Sequence, residues 1–439
     1  MSINWSLIRE EAAQLLTDLI RIKTVNPPGN ESEAALYLQR FLKNEGIDAT
    51  IYASASDRGN LVATLSGAGQ AKPVVLLSHL DVVGANPGDW SHPPFEAAIA
   101  DGYIWGRGAL DMKGMLAMEV MSLILYKRSG QTPRRSLTLV AAADEESGGP
   151  FGTEWLLTQD IPDLKNVEYV INKGGEGKIW NKTPVFSCQS GEKGILWLKL
   201  TVKGTPGHAS MPTQENAIQR MATVINRLNR RKQVMTLCET SRGFLIGLAR
   251  KRGLKLSEAG AATDYSLKMF ANRHFRNERS VQAMLYNTVT PTIIKAGEKT
   301  NVLAESCELT VDCRLLPGET PEAFLNEVRR LVNDQTVECE VIQSAVPTES
   351  TIDTQMYRVM EQVLRQTVPQ AVLVPCLAPD GTDSRCFRQR GITAYGFMPV
   401  LISEAELQRM RGADERLSLD NLELGIRILY QVVEQIAMG

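Results

Sequence analysis

The sequence predicts an α/β protein in which a larger domain is interrupted by a smaller α+β one. Three observations carry this. The chain has 439 residues, more than one hydrophobic core ordinarily serves. Between about residues 50 and 172, β-rich runs alternate with helical patterns, as expected of layers on a largely parallel sheet. From about Gly194 to Val346 the order becomes β-α-β-β-α-β, a ferredoxin-like pattern. The expected division is 1–193 and 347–439 for the larger domain and 194–346 for the insert.

Each element has its own signal. Apolar residues at helical spacing (Trp5, Leu7, Ile8, Ala12, Leu15, Leu16, Leu19, Ile20) predict a helix over 4–22. The cluster Asn26-Pro27-Pro28-Gly29-Asn30 predicts a turn, and Ser32 is placed to cap a second helix running to about Asn44. Strands are expected at Thr50–Ala53, Leu61–Leu65, Pro73–Ser78, Ser136–Ala142 and Glu168–Asn172, with helices after Met112 and from Phe151. In the insert, strands are expected at Ile195–Val202, Thr288–Ile294, Cys307–Arg314 and Val337–Ile342. Helices are expected at Asn216–Asn229 and Pro321–Asn333. A polar, basic stretch at 230–286 reads as solvated surface.

Composition narrows the function classes. The formal net charge of −2 leaves no electrostatic footprint for nucleic acid or an anionic membrane. The N-terminus mixes acids and bases instead of presenting a basic start and apolar run, so no signal peptide is expected. Seven cysteines without a C-x-x-C pair read as reduced thiols in the cytoplasm. The four histidines, His79, His92, His208 and His274, cap the imidazole ligands available to any metal.

Three blocks carry chemistry. Ser78-His79-Leu80-Asp81 follows an apolar strand, so His79 and Asp81, two apart, face the same way off its end. A ligating histidine usually has its second nitrogen held by a carboxylate, a role open to Asp81. Next comes Gly106-Arg107-Gly108-Ala109-Leu110-Asp111-Met112-Lys113-Gly114, and then Asp144-Glu145-Glu146-Ser147-Gly148-Gly149. Adjacent carboxylates at a strand end repel unless a cation or shared proton intervenes. One acid binding metal and one moving protons would suit hydrolysis by metal-activated water.

These blocks resemble the M20 metallopeptidases and amidohydrolases, a family that includes aminoacylase, glutamate carboxypeptidase and carboxypeptidase S-type enzymes. The resemblance implies a zinc-peptidase-like catalytic domain with an inserted ferredoxin-like lid and dimerisation domain. It makes His79 a ligand of one zinc, Asp111 the bridge between two, Glu146 a ligand of the second, and Glu145 the general base. Gly207-His208-Ala209 resembles the segment whose histidine polarises the scissile carbonyl. Asn301 and Arg314 match residues that hold substrate, and an arginine fork suits a carboxylate. Asp380-Gly381-Thr382-Asp383-Ser384-Arg385 looks like a loop near the site. A small acyl-amino-acid or peptide substrate, a homodimer, and neither nucleic acid nor membrane as partner are the implied associations.

Two ligand positions depart from that family. Lys173 stands where it has an acidic ligand, in Asn172-Lys173-Gly174-Gly175-Glu176. Arg411 stands where it has histidine, in Arg411-Gly412-Ala413-Asp414-Glu415-Arg416. A fixed cation ~5 Å from a dication costs roughly 6–7 kcal/mol at an effective dielectric of ~20. At most one zinc is therefore expected. Three readings follow. The first is an amide hydrolase with one metal on His79, Asp111 and Glu146, with Glu176 as a further donor. The second is a metal-free member in which Lys173 and Arg411 replace the zinc charges, binding an acyl-amino-acid-like ligand or catalysing metal-independent chemistry. The third is a non-catalytic interaction protein on the same scaffold.

Overall fold

The computed structural model describes residues 3–180, 182–251 and 263–439; residues 252–262 of the polar stretch lie outside them. The chain forms two compact units. One comprises Met1–Ser190, Ser350–Cys376 and Thr382–Gly439, and the other Gly191–Glu349 with Leu377–Gly381.

The first unit is a mixed sheet covered by helices. Its strands lie in the order Ala49–Ala55, Arg58–Leu65, Leu137–Ala142, Val74–His79, Tyr169–Asn172, Thr393–Gly396. Val74–His79 is central, parallel to both neighbours and buried along its whole length. This explains its uninterrupted apolar run, because a strand covered on both faces has no polar side to present. Val74 and Leu76 pack into the core with the helices Trp5–Arg21, Lys113–Arg128 and Leu419–Met438, whereas Val75 and Leu77 join Val140, Val170 and Phe387 on the other face. Truncating one such side chain, Leu76→Ala for instance, costs about 2–5 kcal/mol. Helix Lys113–Arg128 is buried from Lys113 to Tyr126, as a helix apolar on all sides must be.

The second unit is a four-stranded antiparallel sheet in the order Thr288–Ala296, Ser306–Leu315, Gly194–Lys203, Glu338–Ala345. Leu196, Leu198, Leu200 and Val202 alternate into a core shared with helices Ala217–Asn229 and Pro321–Val332. Both helices start where the sequence places them. The Asn216 side chain accepts from the amides of Ile218 and Gln219, and the Thr320 side chain accepts from Ala323.

Three local expectations change. Ser32 does not cap: Asn30 adopts a left-handed conformation (φ 88°) and the helix begins at Glu31, whose carboxylate turns inward to Arg58. The helix from Phe151 shortens to one turn, Thr153–Leu156. The stretch 230–286 is not solvated surface alone. It contains helices Glu239–Lys251, Asp264–Phe275 and Arg279–Ala283, and Leu245, Leu248, Leu267 and Phe270 are buried. Among the described residues no helix is long and apolar enough to cross a membrane.

Candidate active site

The carboxyl end of the central strand delivers His79, and the chain then leaves the sheet at Asp81. Asp81 is fully buried and does more than face the imidazole. Its Oδ1 accepts from the amide of Glu145 at 3.1 Å and its Oδ2 from that of Glu146 at 3.0 Å. It therefore caps the short turn that carries both glutamates. His79 Nδ1 sits 2.9 Å from the Asp81 main-chain oxygen and 3.3 Å from its carboxylate. Hydrogen bonds from His79, Asn26 and the Glu146 amide outweigh burial and hold the Asp81 carboxyl below its usual range.

Lys173 follows the neighbouring strand Tyr169–Asn172, and its amide donates to the Asn172 side chain at 2.7 Å. Gly174 and Gly175 come next with φ of 109° and 72°. A Cβ on Gly174 would meet Gln189 Oε1 at 1.9 Å, so the chain can turn away here only with glycine. The ammonium is thereby aimed inward. Its Nζ lies 2.6 Å from Asp111 Oδ1, 2.7 Å from His79 Nε2 and 3.2 Å from Glu145 Oε2. Three acceptors consume all three N–H donors of a lysine. Burial alone would depress this amine, but Asp111, Glu145 and Glu146 outweigh it and hold the ammonium above the ordinary lysine range.

Arg411 closes the cluster from the far end of the sequence. Its Nε donates to Asp111 Oδ2 at 2.9 Å, and its Nη2 lies 2.6 Å from Glu146 Oε2. The residue has a left-handed backbone (φ 61°), and Arg107 Nη2 donates to its carbonyl at 3.1 Å. Arg107 also forms a 2.5 Å ion pair with the fully buried Glu415, whose other oxygen accepts from the amides of Leu110 and Asp111. One buried pair thus fixes both Asp111 and the Arg411 loop. Ser91 pins the same loop through its amide and hydroxyl to Asp414, at 2.7 and 2.8 Å.

The cluster sets two fixed cations, Lys173 and Arg411, among its carboxylates. Asp111 is buried, yet the Lys173 ammonium and the Arg411 guanidinium hold its carboxyl well below the usual range. Burial pushes Glu146 up to about 7, against the opposing pull of Lys173. For His79, burial and Lys173 oppose a positive charge while the carboxylates favour one. Geometry decides in this case. Only one proton fits on the 2.7 Å line from Lys173 Nζ to His79 Nε2, and the lysine, with three acceptors, keeps it. His79 is thus the neutral tautomer with hydrogen on Nδ1, facing Asp81.

Among the described residues one group has metal-ligand potential: His79, Glu145 and Glu146 offer donor atoms within 4.8 Å of one another. Glu145 Oε1 and Glu146 Oε1 are buried without a hydrogen-bond partner, as acceptors awaiting a cation or proton would be. The rest of the set does not fit two metals. His79 and Glu145 already contact the Lys173 ammonium, and Glu146 contacts the Arg411 guanidinium. Asp111, the expected bridge, contacts both. Glu176 stands apart from this group and pairs with Lys178 at 3.4 Å.

The remaining sequence-predicted residues belong to the second unit. A short ladder sets His208 opposite Val302, and the Ala209 amide donates to the Asn301 carbonyl at 3.0 Å, so His208 and Asn301 are neighbours. His208 is exposed, with Nδ1 2.7 Å from the Ser210 hydroxyl. Arg314 spends its Nε and Nη2 on Asp312, two residues away on the same strand, and its Nη1 on the Pro379 carbonyl.

Sequence reasoning missed a supporting network. Asn26 Nδ2 donates to Asp81 and Asp144, at 2.8 and 2.9 Å, and Arg58 links Asn26, Glu31 and Asp144. The only signal was the turn cluster around Asn26. Glu415 and Arg107 stood inside the quoted motifs, but nothing in their spacing announced the pair.

Residues 75–435 match the model of peptidase family M20/M25/M40. The chain is 30% identical over 369 residues to the N-fatty-acyl-amino acid synthase/hydrolase PM20D1 of Xenopus tropicalis, covering 82% of this chain and 72% of that protein. It is 28% identical over 450 residues to the probable carboxypeptidase S-like 2 of Dictyostelium discoideum, covering 97% and 85%. In fold it is similar to the M20 family metallo-carboxypeptidase Sso-CP2 from Sulfolobus solfataricus, with a TM-score of 0.72, 17% identity, and 97% and 99% of the two chains covered. With its strand-end histidine, its capped acidic turn and its family-wide match, this chain belongs to peptidase family M20/M25/M40 and is a hydrolase of that family.

Proposed function

We propose that the chain cleaves the amide bond of an N-acyl-amino acid or small peptide in a depleted centre holding at most one metal ion. The observation that carries this is the buried carboxylate of Glu145, fixed beside His79 and Lys173 with its Oε1 unpaired. That oxygen is available to take a proton from water. The water oxygen then bonds to the acyl carbon, the carbon–nitrogen bond breaks, and the proton passes from Glu145 to the departing amine. Asp81 holds the turn that carries this base. His208, Asn301 and Arg314 are proposed to bind and polarise the substrate, as the family resemblance implies. The names of these relatives, which concern fatty-acyl-amino acids and carboxypeptidase chemistry, support this substrate class.

A second reading is favoured by one observation. The 2.7 Å contact between Lys173 and His79 supports a metal-free centre that binds an acyl-amino-acid-like ligand or works without a metal. A homodimer through the second unit fits its two edge strands, on which Ile293, Ile294, Val341 and Ile342 are exposed. Seven unpaired cysteines support a cytoplasmic setting. The test is release of free amino acid from a panel of N-acyl-amino acids and dipeptides. Turnover of at least one class is expected, and inertness toward all of them would overturn the hydrolase assignment in favour of ligand binding.

A further inference from the structure

We propose that Lys173 and Arg411 are the resident cations of this centre, so that it takes no divalent metal ion, and that only Arg411 has donors left for a ligand. The inference rests on contacts within the cluster and not on the hydrolytic reading, although it concerns the same site.

The three side chains with metal-ligand spacing are already in contact with a fixed cation. His79 Nε2 is 2.7 Å and Glu145 Oε2 is 3.2 Å from Lys173 Nζ, and Glu146 Oε2 is 2.6 Å from Arg411 Nη2. Asp111 divides its two oxygens between the two cations, Oδ1 to Lys173 and Oδ2 to Arg411. That division is what a carboxylate bridging two positive centres would make. A divalent ion arriving at His79, Glu145 and Glu146 would meet an ammonium on two of its ligands and a guanidinium on the third. Lys173 has no outward path. Its side chain is 11% exposed, and the loop behind it is fixed by Gly174 and Gly175.

The two cations divide the work. Lys173 spends its three N–H groups on His79, Asp111 and Glu145, which leaves none for a ligand. Arg411 is 45% exposed and uses Nε and Nη2 on the acids, so among the described residues its Nη1 has no partner. A ligand carbonyl or carboxylate oxygen would therefore be received by the arginine, with the lysine as a fixed internal charge. Arginine suits this because its planar fork can hold two acids and still present an edge.

The test compares the full-length protein with the Lys173→Glu/Arg411→His double variant. Each is stripped with chelator, equilibrated with zinc, dialysed and measured by elemental analysis and zinc titration calorimetry. The expected result is no retained zinc in the wild-type protein and uptake by the double variant, with affinities at least about a thousandfold apart. One or more zinc ions retained per wild-type chain overturns the inference. So does a folded double variant that refuses zinc, because exclusion would then not be due to these two side chains. Should the double variant fail to fold, the wild-type measurement decides by itself. Hydrolysis assayed on the stripped wild-type sample keeps the two readings separable. No zinc with turnover supports both, and no zinc without turnover removes the hydrolase and leaves the resident cations in place.

Discussion

Lys173 donates to His79 across 2.7 Å, joining two residues 94 positions apart at the ends of adjacent parallel strands. The contact joins an amine to the nitrogen that the family resemblance assigns to zinc. Its energetic weight follows from what else the amine holds. Lys173→Met would leave Asp111 and Glu145 buried without their shared counter-ion. Removing one partner from a buried pair costs about 3–5 kcal/mol. Urea denaturation at neutral pH is expected to show a loss of that size, and a loss under 1 kcal/mol would mean that Arg411 alone satisfies the acids.

Glu145→Gln keeps the shape of the turn and removes the base. Hydrolysis is expected to fall by at least about a hundredfold in kcat, with the urea midpoint close to wild type because the Asp81 cap of the turn acts on main-chain amides. Retained turnover would direct the search for a base to Glu146.

The Arg107–Glu415 pair makes a separate prediction. Glu415→Ala strips the acceptor from two buried amides and from a guanidinium that is 3% exposed, so a loss of about 3–5 kcal/mol is expected. Glu415→Gln retains two acceptor lone pairs and is expected to lose less. Equal losses would show that the charge, and not the hydrogen bonding, holds the Arg411 loop.

Lys113 predicts a pH dependence. Burial lowers its amine to about 7, with its Nζ donating at 2.8 Å to the carbonyls of Leu19 and Ile22. Between pH 7 and the ordinary lysine value of about 10.5 the unfolded chain binds more protons than the folded one, so this group makes stability rise with pH through that window and level off above it. Lys113→Met is expected to lower the slope of unfolding free energy against pH by up to about 1.4 kcal/mol per unit. An unchanged slope would place the proton elsewhere, Lys193 being the next buried amine with a lowered value, at about 8.

What was legible in the sequence was what periodicity and motif spacing encode. The buried run Val74–Leu77, the alternation in Gly194–Lys203 and the helix starts near Asn216 and Pro321 follow from local chemistry. The inward aim of Lys173 could be suspected from its place between Asn172 and two glycines, but its three acceptors arrive from other segments. Ser32 is not the cap because the helix already begins at Glu31, after Asn30 in a left-handed conformation, and Glu31 pairs with Arg58, 27 residues away. The network of Asn26, Glu31 and Arg58 was invisible for the same reason: its partners are distant in sequence, and nothing local marks a polar side chain as buried.

Arg411 reaches its acidic partners from within the last thirty residues of the sequence, while the six other side chains of the cluster lie before residue 174. During synthesis on the ribosome, the strands that carry those acids emerge long before their second counter-ion exists. Until Arg411 has been made, the portion before residue 174 has Lys173 to hold its acids. Premature termination near residue 400 would thus leave a nascent product with its acids half compensated, a substrate for chaperones and proteases.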